Sequence, residues 1–301
     1  MSEEVDATGV LDPATALRLV AAGCAVAGRP AAGATPLRVG EDALVRLADG
    51  VLARVAPVGG GAAARHEVEV SRWFAAEGVP AVRPASGQVL VEVGDRLVTF
   101  WAPLPPHRPA GGELAAGALR RLHALALPRA PALPAFDPFR RVEPRLLGSP
   151  LGTPAQRAEL GSRLVRLRAA WAELPAGAPP CVVHGDAWAG NVVETDTGEV
   201  LLLDLVRVGV GPPEWDLVAT ALDRSTFGVM DDAGYARFTA AYGLDVMAWP
   251  GFAVLRDIRE IRVVGYALRA AAVDPALAGQ AALRVRDLLA GIRPWPGWQP
   301  L

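Results

Sequence analysis

A short segment in the middle of the chain, CVVHGDAWAGN (181–191), places groups that can do chemistry directly after an apolar run. It contains an imidazole, a carboxylate and, five residues after the carboxylate, an amide: His184, Asp186 and Asn191. Asn191 begins a predicted hairpin, NVVE and EVLLL joined by the turn TDTG, and Asp204 follows its second strand. Since paired strands lie ~4.8 Å apart, Asn191 and Asp204 should meet at one end of this hairpin. Their oxygens predict a site for Mg²⁺, which binds few protein ligands together with phosphates.

The loop that enters the hairpin brings a third oxygen-bearing side chain toward the same place. Asp186 can face a substrate hydroxyl while Asn191 and Asp204 hold the metal. Gly185 permits a tight backbone, and His184 can anchor the loop by side-chain hydrogen bonds. A loop Asp, an Asn for the metal and a second Asp after a short hairpin are the recurring parts of phosphoryl transfer in kinases.

The charge balance narrows the classes of partner. The 301-residue chain has 30 basic residues, all of them arginine, against 32 acidic residues. The resulting net charge of −2 gives no reason to expect nucleic acid or an anionic membrane as a partner. Because the chain lacks lysine, any phosphate contact that needs a cationic side chain must use the planar fork of arginine.

Three features favour a soluble, cytoplasmic protein. The first residues, MSEEVDATGVLD, are acidic, unlike the basic start of a signal peptide. No apolar run approaches the ~20 residues that a membrane span needs. Cys24 and Cys181 lie in apolar stretches, which is typical of buried free thiols in a reducing compartment.

The order of predicted elements indicates an α+β fold with two lobes. Residues 1–101 are predicted to form an N-terminal lobe, a five-stranded antiparallel sheet with one helix inserted after the third strand. Residues 102–112, APLPPHRPAGG, form a proline-rich connector. Residues 113–301 are predicted to form a mainly helical lobe that the catalytic hairpin interrupts. The predicted helices of the second half lie near residues 112–126, 154–174, 213–222, 231–241, 251–271 and 276–290.

Two segments together resemble a known family. HGDAWAGN, followed by LLLDLVRVGVGPPEWDL, is similar to the aminoglycoside phosphotransferase family of small-molecule kinases, which have a protein-kinase-like fold. The resemblance implies that Asp186 is the catalytic Asp and that Asn191 and Asp204 are metal ligands. It also implies that Asp216, in GPPEWDL, begins a helix and supports the catalytic loop.

The resemblance assigns the nucleotide phosphates to the first lobe. Arg54, on the third predicted strand, falls where kinases place a phosphate-binding lysine, and Glu67 falls where the next helix supplies the partner of that residue. Glu67 shares a predicted apolar stripe, so it should face inward and need a cation. Arg46 and Glu69 are the alternatives for the two roles. The stripe consists of Ala63, Glu67, Val70 and Phe74.

The activity that the resemblance implies is transfer of the γ-phosphoryl group of ATP or GTP, with Mg²⁺, to a hydroxyl of a small molecule. An antibiotic such as an aminoglycoside, or a related natural product, is the leading acceptor. Alternatives are a kinase of another hydroxylated metabolite (an amino alcohol, a sugar or a macrolide) and a non-catalytic nucleotide-binding module. Nucleotide is expected between the lobes, with its base near Phe100, Trp101 and Ala102. The sequence indicates no oligomeric state.

The acceptor site is expected on the helical lobe beside Asp186. Trp188 is a candidate to lie against the acceptor, with simple packing as the alternative. Carboxylates near a cleft would attract a cation, which favours an amino-sugar or polyamine-like acceptor. The alternative is that they pair with arginines along one helix. The acidic candidates are Asp223, Asp257 and Glu260, and the arginines are Arg256, Arg259 and Arg262.

Overall fold

The structure, a computed structural model, describes residues 10–295 and divides into two compact units. The first, called the sheet unit here, comprises the described residues up to Pro109 together with Pro128–Ala132 and Asn191–Val208. The second, called the helical unit, comprises Ala110–Leu127, Leu133–Gly190 and the described residues from Gly209 onward. The antiparallel sheet of the first half and the mainly helical second half confirm the predicted α+β class.

The sheet unit contains the five-stranded antiparallel sheet that the sequence predicts, with the strand order β1-β2-β3-β5-β4. Helix α2 follows β3, so β3 leads directly into the helix that carries Glu67. Strand β5 is buried along its whole length, between β3 and β4. The bounds are β1 Thr35–Val39, β2 Ala43–Arg46, β3 Leu52–Val55, α2 Gly61–Ala76, β4 Leu90–Val93 and β5 Arg96–Trp101.

Helix α1, Pro13–Ala27, covers part of this sheet. Its N-cap is Asp12, whose carboxylate accepts from the amide of Thr15 at 2.9 Å, and proline occupies the first turn. Asp and Pro in these positions are favoured because the cap satisfies a free amide and proline needs none. Val20 and Cys24 of α1 are fully buried in one apolar cluster with the sheet residue Phe100.

A second, three-stranded sheet also belongs to the sheet unit, with the order β6-β8-β9. It is formed by β6 His107–Pro109 from the connector and by the catalytic hairpin, β8 Val192–Thr195 and β9 Val200–Leu202. The sequence places this hairpin in the helical lobe, but in the structure it groups with the sheet unit. The first compact unit also extends past the predicted boundary at residue 101.

The helical unit contains the helices predicted for the second half and one short helix, α4, that was not predicted. Two short strands in this unit, β7 Cys181–Val183 and β10 Gly209–Gly211, pair antiparallel and so join the segments before and after the hairpin. The helix bounds are α3 Gly112–His123, α4 Val142–Leu147, α5 Pro154–Ala172, α6 Glu214–Ser225, α7 Asp232–Tyr242, α8 Phe252–Val273 and α9 Ala278–Ala290.

Among residues 10–295, no helix combines the length and apolar character that crossing a membrane requires. Most of the acidic N-terminal stretch, residues 1–9, lies outside the described residues. Cys24 and Cys181 are free thiols, as predicted; Cys24 is buried and Cys181 is partly exposed.

Strand β10, which leads into α6, packs closely against the segment 134–136. The amide of Val210 donates to the carbonyl of Pro134 at 2.9 Å, and the amide of Phe136 donates to the carbonyl of Val210 at 2.8 Å. A Cβ added at Gly209 would lie 2.7 Å from the Pro134 carbonyl oxygen, and one at Gly211 would lie 2.9 Å from the Phe136 side chain. Glycine is therefore required in β10 for close approach of two backbones.

We expect Gly209→Ala to lower the free energy of unfolding by about 2 kcal/mol, because an extra methyl group in a packed position displaces backbone. Gly117→Ala is the matched control, since a Cβ at Gly117, an exposed position within α3, meets nothing within 4 Å. That control should raise stability by about 0.5–1 kcal/mol through helix propensity. Urea unfolding measures both, and equal stability changes in the two variants would contradict the close approach.

Candidate active site

The loop after β7 is held by one buried carboxylate. Asp216, near the start of α6, accepts hydrogen bonds from two consecutive amides, His184 at 2.6 Å and Gly185 at 2.9 Å. Gly185 has a φ of +80°, a left-handed conformation that glycine adopts without strain. The Nδ1 atom of His184 accepts from the amide of Asp186 at 3.3 Å. Together these bonds determine the direction in which the loop presents Asp186.

The Asp216 carboxylate stays ionised inside the protein because its partners compensate the burial. Its side chain is fully buried, and Nε2 of His123 lies 3.0 Å from Oδ2. Burial alone would raise the pKa of Asp216, but the hydrogen bond with His123, the electrostatic influence of the two histidines and the amide of His184 hold it below the usual value. His123 also contacts the hydroxyl of Tyr242 at 2.7 Å. His123 is thus a buried polar support, which the sequence could not pair with Asp216.

Two arginines of α8 lie against the carboxylate of Asp186. The Nη1 atom of Arg259 donates to Oδ1 of Asp186 at 2.8 Å, and Nη2 of Arg262 lies 3.9 Å from the same oxygen. The guanidinium groups lie over the ring of Trp215, at 4.8 Å and 5.6 Å from its centroid. From the sequence, only pairing with carboxylates on their own helix is expected of these arginines, so the contact with Asp186 is a correction.

The hairpin brings Asn191 and Asp204 to the same end, as the sequence predicts. Val192 is paired with Leu202, and the amide of Leu203 donates to the carbonyl of Asn191 at 2.9 Å. Asp204 has a φ of +53°, an uncommon backbone conformation for a residue with a Cβ. It lies directly before a 3₁₀ turn, Leu205–Arg207.

These oxygens fit a magnesium ion. Oδ1 of Asp204 is shielded from solvent and has no hydrogen-bond partner among the described residues. The Arg54 guanidinium lies 3.7 Å from this oxygen, beyond hydrogen-bond distance, so a metal cation would supply the direct contact that a buried carboxylate oxygen needs. Among the described residues no cluster of three or more His, Cys, Asp or Glu could hold a metal. An amide and one carboxylate are sufficient for Mg²⁺ when nucleotide phosphates and water complete its coordination.

Arg54 lies among three carboxylates of the sheet unit. Its guanidinium is 3.0 Å from Glu67, 3.4 Å from Asp42 and 3.7 Å from Asp204. Burial would lower the pKa of Arg54, but these carboxylates raise it, so the guanidinium stays charged. Burial raises the pKa of Glu67 to about 7, against the opposite effect of Arg54. The predicted Arg54–Glu67 pair is therefore present, and Asp42 is a third member that sequence reasoning missed.

Helix α2 also binds the turn after Asp204. The ring of His66 lies 2.8 Å from the carbonyl oxygen of Val208, and the amide of Leu205 hydrogen-bonds to Glu67. One turn of α2 thus contacts both Arg54 and the segment that carries Asp204. The position of α2 and the position of Asp204 depend on each other.

The residues predicted to contact the base have other partners. Phe100 lies in the apolar core, its amide donates to Val89, and its carbonyl accepts from Ala85. The indole of Trp101 is buried and donates to the hydroxyl of Thr99 at 3.0 Å. The amide of Ala102 donates to the carbonyl of Arg83. Phe100 is therefore a core residue, and a base contact at Ala102 would have to use its carbonyl group.

The candidate acceptor residues fall into two groups. Trp188 is 55% exposed, and its ring packs over Gly190, where a Cβ would lie 2.3 Å from the indole. Asp223 is partly buried, and burial raises its pKa to about 6 although Arg259 lowers it. No described residue donates a hydrogen bond to the Asp223 side chain. Both residues remain candidates for an acceptor contact.

Asp257 and Glu260 are instead paired with arginine. Arg293 lies 3.0 Å from Asp257 and also binds Glu260, whose side chain is fully buried. Arg256 lies 3.0 Å from Asp257, and the hydroxyl of Thr226 donates to Glu260 at 2.9 Å. Glu260 therefore holds residues of the helical unit together, and its burial argues against contact with an acceptor.

The helical unit also contains an open cavity of about 480 Å³. None of the residues predicted for the site lines it. Its wall is formed by the start of α3, the segment that leads into α7 and the first turns of α7: Gly111, Gly112, Glu113, Val229, Met230, Asp231, Gly234 and Arg237.

One protein-family model matches most of the chain. The model of the phosphotransferase enzyme family matches residues 33–258. A comparison with curated protein sequences gives no match.

Solved structures of several small-molecule kinases share the fold. Aminoglycoside phosphotransferase APH(3'')-Id from Streptomyces rimosus is 24% identical, with a TM-score of 0.62 over 82% of this chain and 98% of that one. That protein has also been solved with ADP and streptomycin. Amicoumacin kinase hAmiN, solved with AMP-PNP, Ca²⁺ and Ami, is 12% identical, with a TM-score of 0.66 over 88% and 90% of the two chains. A choline/ethanolamine kinase family protein from Mesorhizobium loti is 20% identical, with a TM-score of 0.55 over 90% and 94%.

The TM-scores establish a shared protein-kinase-like fold. The family match spans most of the chain, from the first strand of the sheet into α8. Taken with the loop that presents Asp186 and the hairpin that carries Asn191 and Asp204, they show that the chain belongs to the phosphotransferase enzyme family and is a kinase of that family.

Proposed function

We propose that the chain transfers the γ-phosphoryl group of ATP or GTP to a hydroxyl group of an antibiotic-like small molecule. The observation that supports this most directly is the set of chemical groups in the family pattern: a loop carboxylate, Asp186, and a hairpin that ends in Asn191 and Asp204. The aminoglycoside and amicoumacin kinases among the matching structures support the acceptor class.

In this proposal Asp186 orients the acceptor hydroxyl and takes its proton. The hydroxyl oxygen bonds to the γ-phosphorus while the bond from that phosphorus to the bridging oxygen breaks, and a nucleoside diphosphate leaves. Asn191 and Asp204 would hold Mg²⁺, which neutralises phosphate charge when bound. Arg54, fixed by Glu67, binds phosphate oxygens through its planar guanidinium.

A kinase of another small hydroxylated metabolite is the second candidate. The match to a choline/ethanolamine kinase family protein favours an amino alcohol among these. The Asp223 carboxylate supports that candidate as well, since it has no donor among the described residues and could bind an ammonium group. A non-catalytic nucleotide-binding module is the third candidate, and it predicts nucleotide binding without turnover.

A transfer screen tests the proposal and separates the candidates. The chain is incubated with Mg²⁺ and either ATP or GTP in the presence of hydroxylated antibiotics, amino alcohols or sugars, and NMR locates the phosphate on any product.

We expect Asp186→Asn to bind nucleotide but to lower the rate of phosphoryl transfer by ~10²–10⁴. The asparagine side chain has the size of the aspartate but cannot take the proton of the acceptor. An Asp186→Asn rate above about a tenth of the wild-type rate would contradict the role of Asp186 as base.

We expect Asp204→Ala to lower the Mg²⁺-dependent gain in nucleotide affinity by at least about tenfold. Loss of a residue that only hydrogen-bonds to a metal ligand already costs about that much in metal affinity, and Asp204 would bind the metal directly. Asn191→Ala should lose less, since an amide contributes a dipole and a carboxylate a full charge. Asp42→Ala is the matched control, because Asp42 also lies beside Arg54 but not at the hairpin end. Calorimetric titration measures the nucleotide affinity of each variant with and without Mg²⁺. An unchanged Mg²⁺ dependence of this affinity in Asp204→Ala would contradict the metal site.

We expect Arg54→Ala to lower kcat/KM for the nucleotide by about 10- to 100-fold, the value of one or two hydrogen bonds to a charged group. Arg54→Lys should retain part of the activity, since it keeps the charge but loses the second arm of the fork. Arg46→Ala, on the exposed end of β2, is the comparison. Steady-state kinetics decide the point: if Arg46→Ala causes the loss and Arg54→Ala does not, the phosphate contact belongs to Arg46.

A further inference from the structure

Arg259 differs from Arg256 and Arg262, its neighbours on α8, in what its guanidinium contacts. Arg256 pairs with Asp257 at 3.0 Å, and Arg262 donates to the carbonyl of Pro138 at 2.8 Å, so each has a partner outside the active site. The described residues give Arg259 a single hydrogen-bond partner, Oδ1 of Asp186 at 2.8 Å. The sequence positions of these two residues are 73 apart, so the contact depends on the packing of α8.

The burial of Arg259 makes this contact unfavourable for the stability of the fold. Its side chain is only 7% exposed, and its Nε and Nη2 atoms are buried without a hydrogen-bond partner. A buried charged group with donors unused lowers the free energy of unfolding, by about 1–3 kcal/mol for each unsatisfied polar group. A buried ion pair is also a weak source of stability compared with apolar residues of similar volume. General stability therefore does not account for an arginine in this position.

The ring of Trp215 explains how the guanidinium is held. The centre of the Arg259 guanidinium lies 4.8 Å from the Trp215 centroid, within range of a cation–π interaction. The indole Nε1 atom of Trp215 donates to the carbonyl of Gly185 at 3.0 Å, and its ring is fully buried. One side chain thus holds both the backbone of the catalytic loop and the arginine that contacts the carboxylate of that loop.

We propose that Arg259 is a positioning residue for phosphoryl transfer: it fixes the rotation of the Asp186 carboxylate through Oδ1. Fixing one oxygen of a planar carboxylate also fixes the direction of the other. The acceptor hydroxyl then meets an oxygen of set orientation, and a misplacement of about 1 Å in such a contact can cost 10²-fold in rate. This inference rests on the proposed function, in which Asp186 receives the proton of the hydroxyl.

The test uses the full chain, Mg²⁺ and radiolabelled ATP or GTP, with water as the acceptor, so the natural acceptor need not be known. Phosphate release is followed in single-turnover and steady-state experiments. We expect Arg259→Met to lower kcat by about 10- to 100-fold, with KM for the nucleotide changed less than about twofold. Arg259→Lys should recover part of kcat, because it restores a donor of the same charge. Arg256→Met on the same helix is the matched control and should leave kcat unchanged.

A double-mutant cycle separates positioning from a general structural effect. If Arg259 acts through Asp186, Arg259→Met should change the residual rate of Asp186→Asn by less than about twofold, whereas independent effects would multiply. Equal losses from Arg259→Met in the two backgrounds, or a wild-type kcat in Arg259→Met, would overturn the proposal. Thermal melts accompany every variant, and Arg259→Lys and Arg259→Gln carry the same comparison if Arg259→Met does not fold.

The outcomes also distinguish this inference from the proposed function. Turnover that Asp186→Asn abolishes and Arg259→Met leaves intact removes the positioning role and leaves the kinase proposal standing. If water alone supports no turnover, the same variants are compared with an acceptor that the transfer screen identifies. A wild-type chain that binds nucleotide but transfers phosphate neither to water nor to any acceptor of that screen overturns both proposals. A faster Arg259→Met variant would also overturn the positioning role, since it would mean that the ion pair restrains Asp186 from reacting.

Discussion

The fully buried carboxylate of Asp216 accepts hydrogen bonds from the amides of His184 and Gly185 and contacts the ring of His123. Because two consecutive amides point at one side chain, the loop backbone can take only a narrow range of conformations, and Gly185 adopts the left-handed one. The burial that makes this carboxylate costly also makes its hydrogen bonds strong. The loop that presents Asp186 is thus fixed from the start of α6, by a residue 30 positions further along the chain.

Arginine performs two different tasks in this chain, which has no lysine. In the sheet unit Arg54 lies among Glu67, Asp42 and Asp204, and its fork reaches several oxygens at once. In the helical unit Arg259 lies over the indole of Trp215, 4.8 Å from its centroid, and contacts one carboxylate oxygen. Both tasks use the planar shape and permanent charge of the guanidinium. A lysine, which carries a point charge, would perform them less well.

The parts of the site that could be predicted are those that a local pattern determines. The spacing of Asp186, Asn191 and Asp204 follows from one loop and one hairpin, and β3 leads directly into the helix of Glu67. The five-stranded sheet was predictable because turn residues separate its strands. Strand β5 was harder: it is buried on both faces, so no alternation of polar and apolar residues shows that Phe100 faces the core.

The site residues that the sequence does not predict act through contacts between elements that are distant in sequence. His123 reaches Asp216 from α3, and Arg259 reaches Asp186 from α8. Asp42 lies in the loop between β1 and β2, which the sequence analysis does not assign to the site, yet its carboxylate is 3.4 Å from Arg54. A charged residue on a buried helix face is the signal that was available for Arg259. It does not reveal the partner, because helix periodicity defines a face and not the neighbour that the face meets.

The same packing changes the electrostatic argument about the acceptor. Carboxylates near a cleft favour a cationic acceptor when they are free, but Asp257 and Glu260 are bound by arginine, and Glu260 has no exposure to solvent. Paired charges produce a weak field beyond their immediate neighbours, so these two cannot attract a distant cation. Within the helical unit, Asp223 is the carboxylate near Arg259 that lacks a donor among the described residues. Selection of the acceptor should therefore depend on short-range contacts near Asp186, such as those of Trp188 and Asp223, and less on a broad negative potential.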